Sequence, residues 1–133
     1  MSTAQNVLVT YGLLVLSYGL ILGIPLAITR SSAPQAPRHL VTAHLSALMQ
    51  SPIAIGLAFA IGSVSFDSNL ALVASCLVVG GLLTETLGGT LNGLRGTSDQ
   101  FQEKGAGFRL NALTGPLAIP GTLIITAAVL TKL

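Results

Sequence analysis

Residues 69–94 read NLALVASCLVVGGLLTETLGGTLNGL, 26 residues with a single formal charge, Glu85. A bilayer core needs about 20 predominantly apolar residues in helical conformation, and this stretch exceeds that length. A soluble domain has no place for so long an uncharged run. The segment is therefore read as a transmembrane helix, and the rest of the chain follows the same pattern. On its N-terminal side, Asp67 and Ser68 mark a tight connection, preceded by 28 uncharged residues from His39 to Phe66. Before that lies RSSAPQAPR, residues 30–38, a loop with two prolines and two arginines, and then 23 uncharged residues from Val7 to Thr29. On the C-terminal side, RGTSDQFQEKGAGFR (residues 95–109) holds five charges, and a last apolar run extends from Leu110 to Thr131.

The expected architecture is all-α: a single domain over residues 1–133, folded as an integral membrane four-helix transmembrane bundle with spans at about 7–29, 39–66, 69–94 and 110–131. Composition agrees. Charged residues make up 8% of the chain and hydrophobic ones 51%, with a mean hydropathy of +0.80; soluble domains carry about a quarter charged residues. The net charge of +2 is small and scattered, which argues against a nucleic-acid partner; the bilayer is the partner implied. One cysteine, Cys76, excludes an internal disulfide and any CxxC site; set mid-span among Ala, Ser, Leu and Val, it reads as an inert core thiol. Residues 1–6 contain no basic residue and the following apolar run is long, so no cleavable signal peptide is expected. Arg30, Arg38, Arg95, Lys104 and Arg109 all fall in the first and third loops, against Lys132 alone opposite. The positive-inside rule then places loops 30–38 and 95–109 in the cytoplasm and both termini outside, in the cell (inner) membrane.

Within the third span, Gly81, Glu85, Gly88 and Asn92 recur at intervals of four, three and four, one face of a helix. Gly80, Thr84 and Gly89 flank them. Such a small, polar stripe is expected to face protein, not lipid. Glu85 lies at a depth where a carboxylate costs several kcal/mol unless it is paired or protonated; it is either a functional group or a protonated acid bonded between helices. The second span carries His44, Ser46, Gln50 and Ser51. His44 and Ser51 share a face, and Gln50 lies about a third of a turn away, so one pocket is expected to see both His44 and Gln50. A neutral imidazole there can bind a metal or haem iron or simply hydrogen-bond to a neighbouring helix. His39, next to Arg38, reads as an interfacial residue. Gly19-xxx-Gly23 and Gly89-xxx-Gly93 are small-xxx-small pairs that suit close helix packing. Pro116 and Pro120 are expected to bend the fourth span. No phosphate loop, HExxH or hydrolytic triad is present.

The stretch GLILGIPLAITRSSAPQAPRHLVTAHLSALMQSPIAIGLAF, residues 19–59, resembles hydroxylaminobenzene mutase and, more distantly, styrene oxide isomerase. In that family of small four-helix membrane proteins a glycine-rich first helix leads into a Pro/Arg loop. The next helix opens with Ala-His-Leu, followed six residues after the histidine by Asn-Gly. Here the histidine is His44, and Gln50-Ser51 replaces Asn-Gly. Leu87-Gly88-Gly89-Thr90-Leu91-Asn92 resembles the family's Tyr-Gly-Thr-x-x-Asn: Gly88 and Asn92 match, and Leu87 stands at the tyrosine. The resemblance spans residues 12 to 95. It implies haem b in the membrane with His44 as the axial iron ligand, a homotrimer with haem at the subunit interfaces, and redox-neutral isomerisation of a small apolar aromatic substrate. Two such reactions are implied, a 1,2-shift of an epoxide to an aldehyde and an arylhydroxylamine-to-aminophenol rearrangement. A histidine-held haem offers an open position to the substrate oxygen, and a nearby carboxylate or amide would stabilise the developing cation. Gln50, Glu85 and Asn92 are the catalytic candidates, being, apart from serines and threonines, the polar side chains deep enough to serve. Two other classes stay open: a small proton- or ion-coupled transporter or channel built on Glu85, and an accessory subunit of a membrane complex.

Overall fold

A computed structural model describes Met1–Lys132. Four long helices, α1 (Thr3–Ser32), α2 (Arg38–Gly62), α3 (Ser68–Arg95) and α5 (Ala106–Leu130), are each long and apolar enough to span a membrane. A one-turn helix, α4 (Gln100–Glu103), sits in the last connection. No strand occurs among the described residues. The four-span, all-helical reading therefore holds, with three boundary corrections. The first is that α1 starts at Thr3 and runs to Ser32, into the expected 30–38 loop. The second span ends at Gly62 and not at Phe66, because Ser63–Asp67 forms the turn into α3. The polar 95–109 segment is not a plain loop: it contains α4, and α5 begins within it at Ala106.

Local chemistry sets the helix ends. Ser2 and Gln5 form a reciprocal capping box at the start of α1, the Ser2 amide donating to Gln5 Oε1 at 2.8 Å and the Gln5 amide to Ser2 Oγ at 3.3 Å, satisfying donors that a helix start leaves free. Asp67 accepts from the Leu70 amide at 2.8 Å and starts α3. Gly96, at φ 64°, ends it in the left-handed conformation that glycine adopts without steric cost. Asp99 accepts from the amides of Phe101 and Gln102 and starts α4. All three short connections reverse the chain, so sequential helices run antiparallel. α1 pairs with α2 and α3 with α5, while α2 and α1 both contact α3 and join the two hairpins. Both α2, through Pro52, and α5, through Pro116 and Pro120, remain single continuous helices.

Glycine governs how closely the helices approach. Gly12, Gly19 and Gly23 of α1 receive α2: a Cβ at Gly19 would lie 2.9 Å from Leu48 Cδ2, and one at Gly23 would lie 3.3 Å from His44 Cε1. On the other side of α2, Gly89 and Gly93 of α3 lie against Ala43 and Leu40. Both small-xxx-small pairs thus clasp the same helix. The glycine stripe of α3 faces protein, as expected, and its partner is α5: Gly81 lies against Thr114 and Ala118, and Gly88 against Gly107 and Asn111. Gly121 of α5 completes the seam against Ala74 and Val78.

The Cys76 thiol is not in the core. Cys76 is exposed on the outer surface of α3, where it would meet lipid. Apolar neighbours made it look buried, but in a membrane helix the lipid-facing side is apolar too. α5 is the most peripheral span, with only Gly107, Gly121 and Ile125 buried.

Candidate functional site

Gln50 lies at the midpoint of α2 and is 2% exposed. Four polar groups from three helices converge on its amide. Its carbonyl accepts from the Tyr11 hydroxyl at 2.6 Å and from Thr86 Oγ1 at 2.8 Å. Its amide nitrogen donates to Glu85 Oε2 at 3.2 Å and to Ser46 Oγ at 3.4 Å. Ser46 Oγ in turn donates to Glu85 Oε1 at 2.5 Å. Both lone-pair directions and both protons of Gln50 are used, which locks the amide in one orientation and ties α1, α2 and α3 together at mid-depth. A second bridge, between the hydroxyls of Tyr18 and Thr90 at 2.8 Å, joins α1 to α3 one to two turns nearer the loop end.

Among the described residues the Glu85 carboxyl has only neutral partners, Ser46 and Gln50, and no ion pair. Arg95, the last residue of α3, is ten residues further on, about 15 Å along a helix. An ionised acid in the membrane costs roughly 2.5–3.5 kcal/mol on insertion scales, so Glu85 calls for either a proton or a cation.

Two cavities flank this network on opposite sides of α3. One, of about 320 Å³, lies between α2, α3 and α5 and is lined by His39, Thr42, Ser46, Glu85, Gln100 and Thr114 among others. The second, of about 270 Å³, is an almost wholly apolar crevice between α1 and α3, formed by Tyr11, Leu14, Val15, Tyr18, Leu83, Thr86 and Leu87. The Tyr11 and Thr86 hydroxyls connect its wall to Gln50, so a hydrogen-bonded chain runs from one cavity to the other through Gln50 and Glu85.

His44 and Asn92 lie outside this cluster. The His44 ring fits into the groove left by Gly19 and Gly23, with Nδ1 2.7 Å from the Gly19 carbonyl. A carbonyl only accepts, so Nδ1 carries the proton, and the site of any metal binding on this ring is Nε2. His44 turns to α1 while Gln50 bonds to α3 as well as to Tyr11 of α1, and His44 lines neither of these two cavities. Asn92, 2% exposed, packs against Gly107, and Asn111 packs against Gly88 in return. Both asparagines donate to Gln100 Oε1, at 2.8 and 2.9 Å. This reciprocal clamp fastens α4 to the loop end of the α3–α5 pair, two turns of α3 from Glu85.

Five participants had not been singled out as site residues: Tyr11, Thr86, His39, Gln100 and Asn111. Tyr11 had a readable signal, being with Tyr18 one of two phenols on a leucine-rich span, whereas Thr86 lies immediately beside the recognised stripe. His39 is not simply interfacial: half-buried, it lines the Glu85 cavity, and its Nε2 is buried without a hydrogen-bond partner. Gln100 and Asn111 lie in the polar segment and the following helix, where nothing in the sequence marks them as inward-facing. Among the described residues no three His, Cys, Asp or Glu side chains gather into an ion site; a haem needs only one protein ligand, because the tetrapyrrole supplies four. Comparison with protein-family models, curated proteins and solved structures gave no match to this chain.

Proposed function

We propose that the protein is a membrane-embedded isomerase of small apolar aromatic molecules that holds haem b through His44. The observation that carries this reading is the seat of His44. The Nδ1–H bond to the Gly19 carbonyl fixes both tautomer and ring plane, the arrangement that ligating histidines adopt to present Nε2 to a metal. Among the described residues Nε2 makes no hydrogen bond, which leaves it free to bind a metal. The donor chemistry therefore suits an iron porphyrin, and His44 is the residue that would hold it. A haem bound there would supply an electrophilic iron with an open position for a substrate oxygen.

The remaining work falls to the chain's own residues. The crevice at Tyr11, Tyr18 and Leu87 offers an apolar substrate a way in from the lipid. Glu85, oriented by Ser46 and Gln50, lines the cavity on the other side of α3 and reaches the crevice only through Gln50 and the Tyr11 and Thr86 hydroxyls. Its negative charge would act on a cation developing on the substrate through that hydrogen-bonded chain. Gln50 positions Glu85 and, through its carbonyl, the Tyr11 phenol. Asn92 acts structurally in this scheme, through Gln100. Because His44 lines neither cavity within one chain, a second copy would complete the haem pocket, in keeping with a homotrimer.

The test is an isomerisation assay on purified protein loaded with haem, using an aryl epoxide and an arylhydroxylamine. The expected result is a product of unchanged mass formed without added oxidant or reductant, with turnover lost in His44→Ala and reduced about 10²-fold or more in Glu85→Gln. Absence of turnover with both substrates by protein shown to carry haem would overturn the proposal and leave Glu85, a carboxyl with no cation beside it, as the centre to test for transport.

A further inference from the structure

The deep wall of the cavity between α2, α3 and α5 presents acceptors. Its hydroxyl protons are already committed. Thr42 donates to the Arg38 carbonyl at 3.0 Å, and Ser46 donates to Glu85. Thr84 donates to the Gly81 carbonyl at 2.7 Å, which leaves Thr114 to donate to Thr84 at 3.3 Å. Both protons of the Gln50 amide are spent on Glu85 and Ser46. Around Glu85 the wall therefore offers lone pairs and one carboxyl. The donors still free, the Gln100 amide, the second Asn111 amide proton and the His39 ring, sit at the loop end, His39 two turns of α2 from Ser46. Among the described residues no lysine or arginine lines the cavity. Ala43 and Gly89 supply an apolar side wall.

We propose that this cavity binds a small primary ammonium ion whose headgroup pairs with Glu85. A primary ammonium brings three donors and one positive charge, complementing a wall of acceptors around a carboxylate that lacks a counter-charge. An anion would find no partner at Glu85, and a neutral molecule would leave the carboxylate uncompensated. The same headgroup chemistry belongs to free amines and to aminolipids. The site is separate from His44, and its test does not depend on haem.

The experiment is isothermal titration calorimetry of detergent-purified, delipidated protein with benzylamine hydrochloride, beside benzyl alcohol as the neutral analogue. Saturable heat with benzylamine is expected, with affinity for benzyl alcohol lower by about tenfold or more, the scale of a lost charge-assisted hydrogen bond. Glu85→Gln is expected to weaken benzylamine by a similar factor. Thr114→Leu, which fills the cavity from the α5 wall and keeps the carboxyl, is a second variant should Glu85→Gln fail to fold, and it too must lower affinity. Repeating the titration in nanodiscs with and without phosphatidylethanolamine distinguishes the sources: competition by the lipid identifies its headgroup as the occupant, and unchanged benzylamine affinity identifies a free amine. No heat with benzylamine, equal affinity for benzyl alcohol, or unaltered binding by a folded variant overturns the proposal.

Discussion

The α1–α2 and α3–α5 interfaces are both built on glycine, yet different atoms limit their approach. In α3–α5 the limit is backbone: a Cβ at Gly81 would stand 2.6 Å from the Ala118 amide nitrogen, and one at Gly121 2.6 Å from the Ala74 carbonyl oxygen. In α1–α2 the nearest atoms are side chains, Ile55 at Gly12, Leu48 at Gly19 and His44 at Gly23. A seam closed by backbone cannot adjust and serves to fix two helices in register. A seam closed by side chains leaves a seat whose occupant has chemistry of its own. The proposed haem ligand lies in the second kind, and the acceptor-lined cavity opens beside the first.

The largest expected effect comes from breaking the rigid seam. Gly121→Val must push α5 off α3 and should cost about 3 kcal/mol or prevent folding altogether, read from SDS-induced unfolding followed by circular dichroism. Next is Gln50→Leu, at the junction between the two hairpins. It removes the shared partner of Tyr11, Thr86, Ser46 and Glu85, and a cost of about 2–3 kcal/mol in the same unfolding experiment is expected. Asn92→Ala cuts one arm of the Gln100 clamp; interhelical hydrogen bonds in membranes average about 0.6 kcal/mol, so a loss of roughly that size is expected, with faster amide exchange confined to residues 96–105. Gly23→Ala sharpens the contrast most finely. The added methyl would meet His44 Cε1 at 3.3 Å, which a ring can accommodate by a small tilt; stability should change by less than about 1 kcal/mol while haem affinity, measured by titration of the apo-protein, falls. Gly56→Ala, with nothing within 4 Å of the new methyl, is the control that should alter neither.

Much of this fold was legible because spans are set by length and apolarity, which depend on local sequence alone. The glycine stripe of α3 was legible because 3.6-residue periodicity groups Gly81, Gly88 and Asn92 on one face. What could not be read was azimuth, the rotation of each helix about its axis relative to its neighbours. Azimuth decides that Gln50 meets Glu85 and Thr86, that His44 turns to Gly19, and that Cys76 faces outward; with lipid as apolar as the core, hydropathy carries no information about it. The capping chemistry of α4 was present at Asp99 but hidden within a segment whose charge marked it as loop. His39 was read as interfacial from its neighbour Arg38, whereas the first turn of α2 directs it into the cavity that ends at Glu85.

The most direct measurement is the optical absorption spectrum of the detergent-purified protein expressed with added haem precursor, recorded beside His44→Ala and Glu85→Gln. The account predicts a Soret band near one haem per chain in the wild type, retained in Glu85→Gln and lost in His44→Ala. A wild type that stays colourless, or a His44→Ala variant that keeps the band, would contradict it.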